Sequence, residues 1–475
     1  MTQRRTSSPR PRTPLARTAT QPKAAAKAIA VKLNTAVTMH QQGQLDLAET
    51  LYKEILQSQP LHFDALQLLA TIAGQQGNAA MAVELFDRAL MIKPDYAPAL
   101  SNRGSALLEL QRPEQALQSF ERALKIKPDY ALALHGRGNT LRELQRCEEA
   151  LESYDRALRI KPDYAEVHWN ESLCRLLLGD FDLGWRKYEW RWKQEPSRSA
   201  FRSFTQPLWL GEVPLAGKTL LLHAEHGFGD TLQFCRYAPL LAARGARIVL
   251  QVPPVLKSLC RTFAGVDTLI DFDESLPPFD FHIPLMSLPL AFGTRLESIL
   301  ADVPYLHADP ERVTAWQALL GPRTRPRIGL VWSGSTAHGN DRNRSLPFAQ
   351  FACFIDNAAE FICLQNELRN EDANLVRQHS NVGIYNERLK DFADTAALIE
   401  TLDLVITVDT SVAHLAGALG KPVWILLPFA PDFRWLLERQ DSPWYPTARL
   451  FRQHHSGQWA PVLAEVRQAL GERFT

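Results

Sequence analysis

LVITVDTSVAHLAGALGKPVWILL, residues Leu404 to Leu427, reads as a buried strand, a sharp polar turn, a short helix and a second buried strand. Leu404–Val408 and Val423–Leu427 are apolar, β-branched runs of strand length. Between them Asp409, Thr410 and Ser411 supply side chains that cap helices. Val412, Leu415 and Leu419 repeat at helical spacing, and Gly420 followed by Pro422 stops the helix. The helix thus begins at the C-terminal end of a strand, where open α/β sheets bind ligands. Free N–H groups and the positive end of the helix dipole make an anion such as phosphate the natural guest there. His414 lies one turn beyond Thr410, on the same side as the cap. The alternative is a plain βαβ crossover with a satisfied histidine.

Length and composition frame this stretch. The 475 residues suffice for about three domains. With 45% apolar residues, 22% charged and a net charge of +1, nothing points to nucleic-acid binding or an acidic tail. No run reaches the roughly 18 apolar residues of a membrane span, and no apolar signal core follows the start, so a cytoplasmic protein is expected. Cys147, Cys174, Cys235, Cys260, Cys353 and Cys363 are scattered with no CxxC pair, which fits reduced thiols and neither a disulfide framework nor a zinc site. Residues 1–26, rich in Arg, Ser, Thr and Pro, are expected to form a disordered basic tail.

Upstream the chain is periodic. Pro60, Pro94, Pro128 and Pro162 fall 34 residues apart, as do Ala48, Ala82, Ala116 and Ala150. An aromatic column, Tyr52, Phe86, Phe120, Tyr154 and Tyr188, keeps the same register, and KPDYA recurs from Lys93, Lys127 and Lys161. This pattern resembles the tetratricopeptide (TPR) repeat, a helix pair closed by proline. Small Ala lets the two helices approach, the aromatic fills the gap to the next repeat, and Pro ends the second helix. The array is expected over 27–195. Gly179 through Trp192 would be a last, modified repeat whose Trp185, Tyr188, Trp190 and Trp192 pack between domains. Such arrays grip a peptide or protein partner in a groove. Asn34, Asn102 and Asn170 share one column. In TPR-bearing O-linked N-acetylglucosamine transferases, asparagines at that position hold the acceptor backbone. Leu68 and Gly136 break the column here, and tolerated surface is the bland alternative.

After a linker at 196–217 the period changes. Thr219–His223 reads as a strand, followed by AEHGFGD and an apolar helix, Leu232–Ala243; Arg247–Val252 and Phe281–Leu285 read as further strands. A linker at 307–325 separates this half, 218–306, from a second, 326–475, that ends in a helix. The second half holds strands Arg327–Trp332 and Phe361–Leu364, the loop SGSTAHGNDRNRS, the helix Thr395–Thr401 and the stretch quoted first. The fold class expected is therefore multidomain: an all-α solenoid, then two doubly wound α/β lobes facing across a cleft.

GFGD (Gly227–Asp230), the VWSG loop and VDTSVAHLAGALGKP together resemble glycosyltransferase family 9, the ADP-heptose:lipopolysaccharide heptosyltransferases, over about 218–470. DFADTAALIETLDLVITVDT, DSPWYP and RLFRQ resemble the members fused to TPR arrays. The resemblance implies two Rossmann-like lobes in the GT-B arrangement and inverting transfer: an acceptor hydroxyl displaces a nucleotide diphosphate in one step. It places the base on Asp230, with His226 and Glu225 as alternatives in the same turn, and an acceptor loop at Gly227 and Gly229. From the residues alone, Asp230 reads equally as the N-cap of a helix starting at Thr231. The resemblance places the donor on Ser333, Gly334, Arg342, Arg344, Gln365, Asp409, Thr410, Ser411 and His414, with Arg344 standing where the family has a phosphate-binding Lys and Gln365 where it has a ribose-contacting Glu. Trp435, Trp444 and Tyr445 read as core or as stacking platforms. Asp271-Phe272-Asp273 is a DxD, read as a solvated acidic turn; no metal is expected and the nucleotide sugar is the only co-substrate.

Three functions follow: a glycosyltransferase whose array recruits a protein acceptor, for which the fused relatives suggest a secreted or surface protein such as a flagellin; a transferase acting on a lipid-linked glycan; and a non-catalytic scaffold with a degenerate α/β module.

Overall fold

The computed structural model describes residues 21–194, 204–225 and 227–474. His226, most of the expected tail and part of the expected linker lie outside them. The chain divides into two compact units between Thr140 and Leu141.

The first unit is helical: α1 (Gln21–Gln41), α2 (Leu45–Ser58), α3 (Phe63–Gln75), α4 (Ala79–Ile92), α5 (Ala97–Glu109), α6 (Pro113–Ile126) and the start of α7 (Ala131–Glu143). Pro60, Pro94 and Pro128 stand two residues past α2, α4 and α6, as a helix-stopping proline should. Ala48, Ala82, Ala116, Tyr52, Phe86 and Phe120 are all buried, so the columns read as helix contact and gap filling form the core. A further column escapes the sequence pattern. Gly43 (φ 75°), Gly77 (φ 78°) and Gln111 (φ 57°) share the left-handed conformation in the turn inside each repeat. The gap in the asparagine column at Gly136 has a steric cause, because a side chain there would collide with the Phe120 ring. Asn34 is exposed and Asn102 half-buried.

The second unit opens with α8 (Cys147–Ile160), α9 (Ala165–Leu177), α10 (Phe181–Tyr188) and a 3-10 turn, Glu189–Lys193. Two parallel α/β lobes follow. The first has β1 (Thr219–His223), β2 (Arg247–Val252), β3 (Thr268–Asp271) and β4 (Phe281–Pro284) in the order β3-β2-β1-β4. The second has β5 (Arg327–Val331), β6 (Glu360–Cys363), β7 (Val382–Ile384), β8 (Leu404–Val408), β9 (Val423–Leu427) and β10 (Ala448–Arg452), ordered β10-β9-β8-β5-β6-β7. Every residue of β5, β8 and β9 is buried, which is why these strands are legible as apolar runs. The strands not anticipated, β3, β7 and β10, lie at sheet edges, where one face keeps polar residues or the strand is short. The helix expected at Leu232–Ala243 is broken into Phe228–Phe234, a 3-10 turn at Cys235–Tyr237, and Ala238–Ala243. Pro239, which has no N–H to continue the ladder, sits at the break. The closing helix Trp459–Phe474 lays Val462, Leu463 and Val466 on a core that includes Leu330, Trp332, Phe348 and Ile406.

Trp185 and Tyr188 pack between domains as the sequence suggested, while Trp190 stacks on His168 of α9 at 3.8 Å. Trp185 of α10 meets Phe234 of the first lobe edge-on at 6.2 Å between ring centroids and Phe433 of the second at 5.6 Å. Buried Arg191 forks onto Glu225, Nε to Oε2 at 2.9 Å and Nη2 to Oε1 at 3.0 Å, and also donates to Ser287 at 2.8 Å. The last repeat is thus bolted to both lobes. Among the described residues no helix is long and apolar enough to cross a membrane.

Candidate active site

The Gly-rich turn after β1 presents a carboxylate. Gly227 is the N-cap of the helix Phe228–Phe234, so the helix starts three residues before Thr231 and Asp230 lies inside its first turn. Asp230 Oδ2 accepts the Gly227 N–H at 2.9 Å, and Oδ1 accepts from Arg434 of the other lobe. A carboxylate oxygen has two acceptor positions, so each keeps one for a ligand. Glu225 is engaged structurally: besides Arg191 it accepts the Met286 N–H at 3.1 Å.

The helix quoted first runs from Ser411 to Ala418 with Thr410 as its N-cap. The Thr410 hydroxyl pairs with the Thr407 hydroxyl at 3.1 Å and caps no helical N–H, which leaves the first turn uncovered by a side chain. His414 is buried on this helix. Burial, then Arg434, Arg236 and Arg344, push its imidazole well below the usual range, so it is neutral.

These two turns meet. A Cβ built on Gly229 would stand 2.6 Å from His414 Cδ2 and 3.3 Å from Nε2, a spacing only glycine tolerates. Arg434 completes the junction. Its Nε donates to Gln233 Oε1 at 2.7 Å, Nη1 to Asp432 at 2.8 Å, and Nη2 to Asp230. Asp409 is half-buried, and burial, then the neighbouring Asp432, lift its carboxyl to about 6. Asp230 and Asp432, one from each lobe, therefore share the Arg434 guanidinium.

The other residues expected to hold the donor differ in their surroundings. Arg344 donates from Nη1 to the Asp409 carbonyl at 2.8 Å, and its Nε stands 3.6 Å from Asp341, beyond hydrogen-bond reach. Its guanidinium covers Gly334, where a Cβ would lie 2.5 Å from Nη2. Gln365 is spent on the loop: its Oε1 accepts the Trp332 and Ser333 N–H groups at 2.9 and 3.1 Å, and its Nε2 donates to Ser333 Oγ at 3.0 Å. Arg342 is exposed. Asn170 is buried in α9, unlike Asn34 and Asn102. Trp435, Trp444 and Tyr445 are all fully buried, so core is the right reading. Asp271 closes β3, paired with Lys257 at 3.2 Å. Among the described residues no group of three His, Cys, Asp or Glu side chains could hold a metal.

Family models agree with this architecture. Two tetratricopeptide repeat models match residues 41–97 and 95–163, and the model of glycosyltransferase family 9 (heptosyltransferase) matches 388–427. That segment contains Asp409, Thr410, Ser411 and His414. Protein FlbA of Caulobacter vibrioides is 28% identical over 334 residues, 64% of this chain and 55% of that protein. The chain thus spans about half the length of the curated relative it matches. Among solved structures, MamA (19% identity, TM-score 0.33) aligns with 38% of this chain over its own entire length. YrrB, described as a TPR protein with an unusual peptide-binding site, is 18% identical with TM-score 0.31, over 36% of this chain and 92% of YrrB. A thermophilic TPR protein of Thermus thermophilus is 24% identical with TM-score 0.31, over 35% of this chain and 92% of its own.

In the second lobe, sequence reasoning missed Asp432 and Arg434. Their loop, next to the DSPWYP stretch, is held by buried geometry. Arg452 donates to the carbonyls of Trp435, Leu436 and Arg439 at 2.6, 3.0 and 2.8 Å, while Leu436 and Glu438 take φ values of 53° and 54°. The RLFRQ motif supplies that arginine.

Proposed function

We propose that this protein is a GT-B glycosyltransferase that moves a sugar from a nucleotide-diphosphate donor to a protein recruited by the helical repeats. The apposition of the Gly229 turn and His414, with Asp230 and Asp432 both bonded to Arg434, carries this reading. It puts a carboxylate from one lobe beside an uncapped helix N-terminus and a guanidinium from the other.

In the reaction, Asp230 takes the proton of the acceptor hydroxyl as its oxygen bonds to the anomeric carbon. The bond from that carbon to the diphosphate breaks, its electron pair leaves on the phosphate oxygen, and the configuration inverts. Arg344 and the first N–H groups of the Ser411–Ala418 helix receive the leaving charge, the work that preorganised donors do best in a water-poor site. Ser333 and Gly334 bring backbone close to the same place. Gln365 serves by shaping that loop, and its bonds to Trp332 and Ser333 argue against direct ribose recognition. The array raises the local concentration of an acceptor that the cleft alone binds poorly. With no spanning helix among the described residues, a cytoplasmic site of action is part of the proposal.

Calorimetric titration with UDP-, ADP-, GDP- and CMP-sugars tests this. One of them should bind, and Arg344→Ala should weaken it at least tenfold. Failure of all four to bind would favour a scaffold. A lipid-linked acceptor would instead be favoured if removing the array left acceptor use unchanged.

A further inference from the structure

The loop after β5 is closed on itself by side chains that the donor reading does not use. Asp341 opens one helical turn, Asp341–Arg344, and Ser345 follows it; both are buried. Ser345 Oγ accepts the Gly334 N–H at 2.9 Å and a hydrogen from Arg369 Nη2 at 3.2 Å. Those two partners can only donate, so the single Ser345 hydrogen goes to Asp341 Oδ1, 2.7 Å away. Arg369 Nη2 also donates to Asp341 Oδ2 and, at 3.1 Å, to the Gly334 carbonyl. Both backbone polar groups of Gly334 are therefore engaged. So is the Ser333 N–H, on Gln365 Oε1 at 3.1 Å. Neither residue keeps an N–H for a phosphate.

What the closed loop offers instead is a shelf for Arg344. The guanidinium lies against Gly334, where a Cβ would stand 2.5 Å from Nη2, 2.8 Å from Cζ and 2.9 Å from Nε. Its Nη1 is anchored 2.8 Å away on the carbonyl of Asp409, the residue after β8. Strands β5 and β8 are neighbours at the point where the strand order turns back, the crevice in which doubly wound sheets hold ligands. Arg344 thus reaches from one side of that crevice to the other. We propose that Asp341, Ser345 and Arg369 are positioning residues that hold Arg344 across this crevice, so that the donor's diphosphate meets the Arg344 side chain and the Ser411 helix N-terminus and not the Ser333–Gly334 backbone. The arrangement suits the arginine found here in place of the family's lysine. One nitrogen of the planar fork is anchored on Asp409 while Nη2, which bonds no group among the described residues, is left for a phosphate oxygen; an ammonium carries all its donors on one atom. This deepens the glycosyltransferase reading and rests on it for the identity of the anion.

Amide hydrogen exchange on the ligand-free full chain tests the clasp itself. The Gly334 amide should be protected in wild type and exchange roughly tenfold faster or more in Ser345→Ala, which removes its acceptor. Free exchange of this amide in wild type would overturn the proposal. Calorimetry with ADP, UDP, GDP and CDP then tests the positioning. For whichever binds, Ser345→Ala should weaken binding roughly tenfold, the usual effect of a lost buried hydrogen bond. On an Arg344→Ala background the same change should add less than about twofold, because its effect passes through Arg344. Losses that multiply would mean that Ser345 acts on the ligand or on stability alone, and the positioning role would fall. Should Ser345→Ala fail to fold, Asp341→Asn is read in the same cycle with the same outcomes. If wild type binds none of the four, the glycosyltransferase reading fails and the positioning role with it. If wild type binds and the losses multiply, only the positioning role fails.

Discussion

Gly229 and His414 touch across the two lobes so closely that no Cβ fits between them; one built on Gly229 would lie 2.6 Å from His414 Cδ2. Trp435 and Tyr445 hold the ring from behind, so the ring cannot retreat. Gly229→Ala should push the lobes apart locally, at a cost of about 1–3 kcal/mol in urea unfolding. Donor binding should fall far more than stability does. Unchanged binding with unchanged stability would mean the contact is loose.

Arg434 neutralises two acidic side chains from a buried position, one of them on the other lobe. Arg434→Ala leaves the half-buried Asp230 and Asp432 without their shared partner and should cost about 1–3 kcal/mol, the usual loss of a charged hydrogen bond. Arg434→Lys keeps the charge but cannot span Gln233, Asp230 and Asp432 together. It should restore much of the stability and little of the turnover. Thermal melts beside initial rates separate the two effects.

Asp409 gives the site a pH signature. Its folded pKa, raised from 3.8 to about 6, exceeds the unfolded value, so the folded chain binds this proton more tightly. Its contribution to stability is fully present below about 3.8 and is lost as pH rises through about 6. Asp409→Asn carries no such titration. The melting temperature of the variant relative to wild type should therefore climb between pH 4 and pH 7 and level off above; a difference that stays flat across that window would refute the assignment.

Trp185 wedges α10 against Phe234 and Phe433, one ring from each lobe. Trp185→Ala should cost about 3–5 kcal/mol in denaturant unfolding. It should also expose the α10 junction to hydrogen exchange. A loss near zero would mean that the last repeat is only tethered.

Some of this is legible in the sequence, and the reason is locality. The 34-residue columns and the Asp409–Leu427 stretch carry their whole message within a few turns of chain, and the helix and strands appear where that pattern puts them. Arg434 is silent because its meaning comes from Asp230, 204 positions away. Gln365 reads as a ligand contact because position at a strand end cannot show that its amide is spent on Ser333. Trp444 and Tyr445 belong to the core, since large aromatics near a C-terminal sheet bury more often than they stack.

The decisive measurement is a structure of the full chain with a nucleoside diphosphate sugar bound. The account predicts phosphate oxygens on Arg344 and the N–H groups opening at Ser411, with the anomeric carbon turned toward Asp230. A nucleotide lodged elsewhere, with the Asp230–Arg434 pair intact and untouched, would contradict it.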